Sequence, residues 1–320
     1  MQLIQEQPSP ILVTGAHRSG TTWVGRMLAS NPQTAYISEP LNVLHRRGVY
    51  RAEVKRWYTY ITQENESEYL PAFQELIKFR YHFFSEAASL RSRKDLLRMG
   101  RDLSIFINGK LRNQRPLLKD PFAVFSAPWF AQTLNCRVVI TIRHPAGFAS
   151  SLKRLNWPFD FQDLLKQPAL MRDHLEADRA DMEKIQADDI VGQAALLWRM
   201  IYRAVHFTLR LRSTQGGARQ LFPHFKIVRH EDLSRDPVAG YKSLYESLGL
   251  TFNDKVRDTI LNSSSSENPA ELSQKKVHSV KLDSRANLDN WKKRLSTDEI
   301  SRIRQLTEDV SHLFYSDNEW

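Results

Sequence analysis

The feature that most constrains the fold is a short loop, GAHRSGTT, which spans residues 15–22. It follows a short apolar run at residues 11–13, and it precedes TTWVGRMLAS, in which apolar residues recur at helical spacing. Gly15 and Gly20 let backbone amides approach an anion closely, and the start of a helix adds a favourable dipole. The order of strand, glycine-bounded loop and helix therefore predicts a phosphate-binding loop in an α/β protein.

This loop differs from the loop of ordinary ATP-binding proteins. A Walker A loop continues with Gly-Lys-[Ser/Thr], whereas here Gly20 is followed by Thr21 and Thr22. Arg18 supplies a positive charge inside the loop, and the two threonines supply hydroxyl donors. The loop is thus suited to a phosphate but lacks the lysine that reaches the terminal phosphates of ATP. A strand–helix connection that binds no ligand is the alternative.

Two further apolar runs predict strands of the same sheet, RVVITI at residues 137–142 and FKIVR at residues 225–229, each followed by a helical pattern. Short buried strands that alternate with helices indicate a parallel sheet covered on both faces. We therefore expect one domain over residues 1–320, with a three-layer α/β fold and helical insertions at about 51–110 and 156–224.

The remaining patterns are simpler. Residues 160–213 are expected to be helical throughout, residues 296–314 form the last amphipathic helix, and residues 263–274 form a surface loop.

The composition excludes several classes of protein. With 41% hydrophobic and 26% charged residues, the 320-residue chain is neither disordered nor fibrous. No apolar run reaches the roughly 18 residues that a membrane span needs, and the N-terminus lacks the basic segment of a secretory signal. Cys136, the single cysteine, excludes an intrachain disulfide and a multi-cysteine metal site. These features favour a cytoplasmic location.

The charge balance favours an anionic ligand. The 46 Lys and Arg residues exceed the 36 Asp and Glu residues, which gives a net charge of +10. Such an excess attracts nucleic acids, phosphate-rich cofactors, acidic lipids or acidic glycans, and by itself it does not choose among them.

The loop also carries a family resemblance. GAHRSGTTWVGRML resembles the 5′-phosphosulfate loop of sulfotransferases, usually Pro-Lys/Arg-Ser-Gly-Thr-Thr-Trp, with His17 in place of Pro and with the arginine that is common in carbohydrate-acting branches. These enzymes have a fold like that of P-loop NTPases, and they transfer a sulfuryl group from 3′-phosphoadenosine 5′-phosphosulfate without a metal. The resemblance implies that the donor is bound by Gly15, His17, Arg18, Ser19, Gly20, Thr21 and Thr22.

A second anion site is expected after the strand at residues 137–142. Arg143 follows that strand, and Ser151 lies eight residues later on the next predicted helix. An arginine can bind a phosphate with two parallel hydrogen bonds, and a serine can add another. Arg-x7-Ser at a strand–helix junction resembles the 3′-phosphate motif of sulfotransferases. A surface arginine and a helix-capping serine are the alternative.

Three more segments match the family. VRHEDL resembles its third strand, which would place His230 near the adenine. In the family a tryptophan that matches Trp23 stacks on that base, so the resemblance implies the same contact for Trp23. The alternative for both is a structural role. SRANLDNWKKRLSTDEI resembles the C-terminal region that closes over the donor, so Ser284, Arg285 and Lys292 are candidates, with Arg285 chosen as a donor contact.

The predicted general base is Glu39. Cytosolic members use a histidine in a Lys-x-His segment, but the corresponding stretch here has Lys119 and Asp120 without a histidine. Carbohydrate-acting and bacterial members often have a glutamate soon after the first helix, and AYISEPLN has Glu39 there, after a short strand-like run. A base should take the proton of the acceptor. The alternative bases are His17, His144 and Asp120.

Two cations complete the predicted catalytic set. Arg18 can neutralise charge on the leaving 5′-phosphate. Lys119 either reaches the acceptor or the sulfuryl group, or pairs with Asp120.

The sequence therefore predicts a sulfotransferase that acts on a hydroxyl of a glycan, a glycolipid or a small natural product, with no nucleic-acid partner. The alternatives are a P-loop kinase and a non-enzymatic polyanion-binding protein. The segments expected to bind the acceptor, 45–110 and 156–210, carry aromatic residues but no motif, and nothing in the sequence indicates an oligomeric state.

Overall fold

A computed structural model describes residues 8–214, 224–271 and 280–320. The strands are β1 Ile11–Gly15, β2 Thr34–Ser38, β3 Arg115–Lys119, β4 Arg137–Ile142 and β5 Phe225–Arg229. The helices are α1 Thr21–Leu28, α2 Leu70–Ile77, α3 Phe83–Ala87, α4 Arg93–Leu111, α5 Ala127–Thr133, α6 Pro145–Leu155, α7 Gln162–Leu165, α8 Pro168–Leu170, α9 Arg179–Lys184, α10 Ile190–Thr214, α11 His230–Arg235, α12 Pro237–Leu248, α13 Asp254–Ser264, α14 Asn290–Arg294 and α15 Thr297–Ser311.

The described strands form one parallel sheet in the order β2-β3-β1-β4-β5. In its register Val13 of the central strand lies opposite Lys119 of β3 and Val139 of β4. Because all five strands run in one direction, the loops that follow them meet at one edge, where ligands bind in open parallel sheets. The predicted fold, a central parallel sheet flanked by helices, is confirmed.

Alternation along β1 builds the two faces of the sheet. All five residues of the strand are buried. Leu12 packs in a cluster with residues of α5, α6 and α10, whereas Ile11 and Val13 pack in a second cluster with residues of α1, α12 and α13. Successive side chains of a strand point to opposite faces, so an uninterrupted apolar strand needs helices on both sides. This is the physical origin of the three layers.

Strand β3 is absent from the sequence prediction because Pro116 lies inside it. Proline has no backbone N–H and normally argues against a central strand. Here the N–H of Arg115 donates to the Gln33 carbonyl at 2.7 Å, toward β2, so the next residue faces β1. Pairing with β1 begins only at Leu117, opposite Ile11, so the missing N–H breaks no ladder hydrogen bond.

The predicted insertions are only partly helical. Residues 51–65 contain no described helix, and α2, α3 and α4 occupy the rest of the first insertion. The expectation of helix throughout 160–213 was wrong, because short helical pieces, one of which begins at Pro168, precede the 25-residue α10. Residues 215–223 lie outside the described residues.

The C-terminal elements agree better with the prediction. Helix α15 confirms the last predicted helix, and a reciprocal capping box between Ser296 and Glu299 fixes its start. Of the surface loop expected over 263–274, the first two residues still belong to α13 and residues 272–274 lie outside the described residues. Among the described helices, none has the length and apolar character to cross a membrane. The single-domain organisation stays a prediction.

Candidate active site

Three adjoining cavities open where the strands end. The P-loop cleft is lined by Arg18, Gly20, Thr21, Thr22, Trp23, Arg143, Ser151, Arg154, His230, Glu271, Leu282, Asn287 and Arg294. The aromatic cavity is lined by His17, Arg18, Thr21, Thr22, Glu39, Asn42, Trp57, Pro121, Phe122, Trp157, Pro158, Phe159, Asp160 and Asp163. The arginine cavity is lined by Thr22, Arg26, Tyr36, Ile37, Ser38, Glu39, Asn42, Leu44, Arg46, Val49, Arg98, Arg101, Asp102, Ile105, Phe106 and Lys119. Thr22 lines all three, so the phosphate loop lies at their junction.

Both loop glycines are required by the geometry. Gly15 has a φ of 140°, and a Cβ there would lie 2.2 Å from the Thr141 carbonyl oxygen of β4. Gly20 has a φ of 100°, and a Cβ there would lie 2.9 Å from His230 Nδ1. These are backbone conformations that favour glycine. Gly15 thus brings the loop close to β4, and Gly20 forms part of the wall of the P-loop cleft.

Ser19 was predicted to contact the donor, but its side chain does not line any of the three cavities. Its hydroxyl is buried, donates to the Ala16 carbonyl at 2.5 Å and lies 2.7 Å from Thr141 Oγ1. The tight turn directs this side chain into the sheet, so it stabilises the loop. Gly15 likewise shapes the loop and does not line the P-loop cleft.

Arg18 joins the two predicted phosphate sites. Its Nε donates to Ser151 Oγ at 3.3 Å, and its carbonyl accepts a hydrogen bond from Arg143 Nη1 at 3.4 Å. Burial, followed by repulsion from Arg143 and Arg154, lowers the pKa of Arg18 to about 10. Guanidinium groups held close together repel one another, and an anion bound between them relieves that repulsion. The structure therefore brings together Arg18, Arg143 and Ser151, which the motifs predict on separate segments.

Two arginines of the P-loop cleft, Arg154 and Arg294, were not predicted from the sequence. Arg154 and Arg294 both contact the Glu271 carboxylate, at 3.2 Å and 2.8 Å, and Arg294 Nη1 also donates to Ser150 Oγ at 3.4 Å. Two arginines thus bind an oxyanion of the protein beside the predicted 3′-phosphate residues. The sequence could have indicated Arg154, because it lies three residues after Ser151 and therefore on the same face of α6.

Trp23 and His230 form the far wall of the P-loop cleft. Their ring centroids lie 5.7 Å apart in an edge-to-face arrangement, and Trp23 Nε1 donates to Ser263 Oγ at 3.1 Å. Both ring nitrogens of His230 are buried, and neither makes a hydrogen bond to any described residue. Burial lowers the pKa of His230 to about 3, so the ring is neutral at pH 7. Unpartnered ring nitrogens facing a cleft fit a polar, planar ligand such as a nucleobase.

The C-terminal candidates lie elsewhere. Arg285 donates from Nε and Nη2 to the Arg235 carbonyl, at 3.0 Å and 2.7 Å, and it does not line the P-loop cleft. Ser284 Oγ donates to the Ser234 carbonyl, and Lys292 packs over the Trp291 ring. Ser284 and Arg285 thus bind the C-terminal end of α11, and Lys292 packs on its own helix, whereas Leu282, Asn287 and Arg294 of the same region line the cleft.

His17 faces the aromatic cavity rather than the P-loop cleft. Its backbone N–H donates to the Tyr58 hydroxyl at 3.2 Å, and its Nδ1 lies 2.6 Å from the same oxygen. The Tyr58 hydroxyl can donate its own proton to Nδ1, and in that arrangement the ring proton of the neutral imidazole lies on Nε2. Burial and then Arg18 lower the pKa of His17 to about 4. In this tautomer His17 offers a donor and is a poor candidate for the base.

Glu39 lies where the aromatic and arginine cavities meet. Its carboxylate forms an ion pair with the buried Lys119 ammonium group, and it accepts a hydrogen bond from Asn42 Nδ2 at 2.8 Å. The Glu39 side chain keeps about a quarter of its surface exposed, and it lines both cavities. One expectation for Lys119 was an ion pair with Asp120. In the structure Lys119 pairs with Glu39 instead.

Three residues around these cavities have left-handed backbones. The φ angles are 67° for Arg18, 51° for Glu39 and 57° for Tyr58. Such conformations are unfavourable for residues with a Cβ and concentrate at functional sites.

The other two candidate bases have structural positions. Asp120 is fully buried, and its two oxygens accept hydrogen bonds from the backbone N–H groups of Leu41 and Phe122, at 2.6 Å and 3.0 Å. His144 packs 5.2 Å from the Trp291 ring and 4.5 Å from the Trp320 ring, outside all three cavities. Neither side chain can reach an acceptor in these cavities.

A known protein family matches the part of the chain that contains this site. A model of the "Sulfotransferase family" matches residues 10–254, which include the phosphate loop, Glu39, Arg143 and Ser151. The chain belongs to the sulfotransferase family. Carbohydrate sulfotransferase 1 from Danio rerio is 38% identical over 74 residues, a match that covers 23% of this chain and 17% of that protein. The match thus spans only a small part of that curated relative.

Solved sulfotransferase structures are similar over nearly the whole chain. The sulfotransferase domain of the Synechococcus PCC 7002 olefin synthase is 16% identical, with a TM-score of 0.44 over 99% of this chain and 98% of that one. The domain from the curacin biosynthetic pathway is 16% identical, with a TM-score of 0.47 over 97% and 98%. A mouse sulfotransferase complexed with PAP is 11% identical, with a TM-score of 0.44 over 97% and 86%. Since these scores lie below 0.5, the roles of residues rest on the geometry of this sulfotransferase itself.

Proposed function

We propose that this sulfotransferase moves the sulfuryl group of 3′-phosphoadenosine 5′-phosphosulfate to a hydroxyl of an acceptor, with Glu39 as the general base. The observation that carries the proposal is the position of Arg18. Its guanidinium group contacts Ser151, its carbonyl contacts Arg143, and the residue lines both the P-loop cleft and the aromatic cavity. One cation thus lies between two anion sites and an adjoining cavity for an acceptor.

The P-loop cleft suits this donor. The phosphate loop would hold the 5′ end through Arg18, Thr21 and Thr22. Arg143 and Ser151, with Arg154 and Arg294, would hold the 3′-phosphate; the Glu271 carboxylate already shows that the last two arginines bind an oxyanion. His230 and Trp23 would contact the adenine, whose ring nitrogens could pair with the unpartnered histidine. These contacts include no metal, and the described residues contain no cluster of three or more metal-ligating side chains.

The reaction is a displacement at sulfur. The acceptor oxygen forms a bond to sulfur while the bond from sulfur to the bridging 5′-phosphate oxygen breaks. Glu39 takes the proton of the hydroxyl, and Arg18 stabilises the negative charge that develops on the leaving phosphate. The His17 Nε2–H group and the Lys119 ammonium group would orient the acceptor or the sulfuryl oxygens. Positioning and charge stabilisation supply most of the acceleration in such group transfers.

Differential stabilisation tests the donor. Thermal unfolding would be followed with 3′-phosphoadenosine 5′-phosphate, AMP or ATP with magnesium, each at the same concentration. Binding to the folded state raises the unfolding temperature, and at equal ligand concentration the increase is larger for the ligand with the lower Kd. We expect the largest increase with the 3′-phosphorylated ligand, and transfer of labelled sulfuryl groups to a hydroxyl-bearing library would then identify the acceptor. Preferential stabilisation by ATP with magnesium would support a kinase instead.

A further inference from the structure

The arginine cavity carries more positive charge than its own carboxylates balance. Five of its lining residues are cationic, Arg26, Arg46, Arg98, Arg101 and Lys119, and only Glu39 and Asp102 are acidic. Both carboxylates are already in ion pairs. Glu39 pairs with Lys119, and Asp102 pairs with Arg46 and Arg101. The cavity is therefore electropositive after all of its internal pairs are made.

Two guanidinium groups of this cavity are available for a ligand. Arg26 lies 4.4 Å above the Tyr36 ring, and no carboxylate of a described residue forms a salt bridge with it. Arg98 is exposed, and its one salt-bridge partner among the described residues is Asp95, on the preceding turn of α4 at 3.4 Å. Exposed pairs of this kind contribute little, so an incoming oxyanion can replace the carboxylate.

A third arginine has an unsatisfied donor. Arg46 is about three-quarters buried, and its Nη1 makes no hydrogen bond to a described residue. Burial, followed by repulsion from Arg101, lowers its pKa. A buried donor without a partner is costly, and an oxyanion in the cavity would supply an acceptor.

The position of the cavity links this charge to the acceptor. The arginine cavity and the aromatic cavity share Thr22, Glu39 and Asn42. A molecule whose hydroxyl lies at Glu39 therefore extends into one or both cavities. In the aromatic cavity it meets Trp57, Phe122, Trp157 and Phe159, whose rings can pack against the apolar faces of sugar rings.

The geometry points to an acidic saccharide as the acceptor, with a carboxylate or sulfate group bound in the arginine cavity beside the hydroxyl that is sulfated. This inference rests on the proposed function. Arg26, Arg98 and Arg46 bind the oxyanion, because planar guanidinium groups match the oxygens of such groups with paired hydrogen bonds. The basic residues of this cavity also account for a part of the +10 net charge that the phosphate-binding residues do not explain.

A matched pair of probes tests the inference. Calorimetry would measure binding of a hyaluronan tetrasaccharide, which carries carboxylates, and of neutral chitotetraose to the full chain with and without 3′-phosphoadenosine 5′-phosphate. The variants are the double substitution Arg26→Gln/Arg98→Gln and the control Arg93→Gln, which changes an arginine of the same helix outside the cavity. Arg26 and Arg98 are both exposed, so the folded state should tolerate the change.

We expect the acidic probe to bind at least about tenfold more tightly than the neutral one, and the double variant to lose this preference while the control keeps it. Equal affinity for both probes, no binding of the acidic probe, or a preference that survives in the double variant would overturn the inference. The unfolding temperature with 3′-phosphoadenosine 5′-phosphate serves as the separate readout. If that ligand fails to stabilise the wild-type chain, the proposed function is wrong, whatever the saccharides do.

Discussion

The Lys119 ammonium group and the Glu39 carboxylate form an ion pair between the ends of neighbouring strands. The backbone N–H of Glu39 also donates to the Lys119 carbonyl at 2.8 Å, directly after the register pair of Ser38 and Lys119. Asn42 holds the second carboxylate oxygen at 2.8 Å. The proposed base is thus fixed by main chain and side chains before any acceptor arrives.

Replacement of the base should separate chemistry from donor binding. Glu39→Gln keeps the shape of the side chain and removes its ability to accept a proton. We expect turnover to fall by about 10²–10⁴-fold, the usual contribution of a general base, with unchanged affinity for 3′-phosphoadenosine 5′-phosphate. Sulfuryl transfer and calorimetry measure the two quantities. Glu53→Gln, at an exposed carboxylate outside the cavities, is the control, and turnover near that of the wild type in Glu39→Gln would exclude Glu39 as the base.

Loss of the second anion site should remove the preference for a 3′-phosphate. In Arg143→Gln the guanidinium group disappears from the P-loop cleft, whereas the phosphate loop is retained. We expect the ratio of affinities for 3′-phosphoadenosine 5′-phosphate over AMP to fall at least about tenfold, since hydrogen bonds to charged groups are among the stronger ones. Arg257→Gln, on the exposed face of α13, is the matched control. A ratio that stays at its wild-type value would show that another residue reads the 3′-phosphate.

Glu271 should compete with the donor. Its carboxylate bridges Arg154 and Arg294 inside the P-loop cleft, so a phosphate group must replace it to reach both arginines. We expect Glu271→Gln to bind 3′-phosphoadenosine 5′-phosphate several-fold more tightly, because the neutral amide competes less for the two cations. Calorimetry at two salt concentrations measures the change. Weaker binding in the variant would mean that Glu271 positions the arginines instead of competing for them.

The pH dependence of stability should report on His230. Its pKa is about 3 in the folded chain and 6.5 when unperturbed, so below pH 6.5 the unfolded state takes up a proton that the folded state does not. His230→Phe removes this acid-dependent loss. The free energy of unfolding of the variant, relative to the wild type, should therefore rise by about 1.4 kcal/mol per pH unit between pH 6.5 and about 4.

Urea unfolding from pH 7.5 to pH 4 measures this difference. Trp23→Phe alters the same ring contact but keeps the histidine, so its difference from the wild type should depend less on pH than that of His230→Phe. A flat profile for His230→Phe would show that the pKa of His230 is the same in the folded and the unfolded chain.

The phosphate loop could be predicted because all of its information lies in eight consecutive residues. Arg143 and Ser151 could also be predicted from one short stretch of sequence, because Arg143 directly follows β4 and Ser151 lies on the next helix, α6. Strand β3 could not be predicted, because proline normally interrupts a central strand. Pro116 is tolerated here because pairing with β1 begins only at Leu117.

Other site contacts depend on segments that are distant in sequence. Sequence proximity suggests a pair of Lys119 with Asp120, but successive side chains along an extended chain point in opposite directions, and Glu39 lies 80 residues away, directly after the adjacent strand β2. The bridge from Arg154 through Glu271 to Arg294 forms only when the C-terminal segment packs against α6.

The left-handed backbones of Arg18, Glu39 and Tyr58 lower the folding stability at positions that the proposed reaction uses. Each conformation raises the energy of the folded state by roughly 1–3 kcal/mol, so the surrounding packing must hold it. Glycine would relieve that strain at each position, but at Tyr58 it would leave a large cavity in the core, and at Glu39 it would leave the buried Lys119 ammonium group without its partner. A library selected only for heat resistance would therefore gain glycine or asparagine at Arg18 and not at Glu39 or Tyr58, and turnover would fall with that gain.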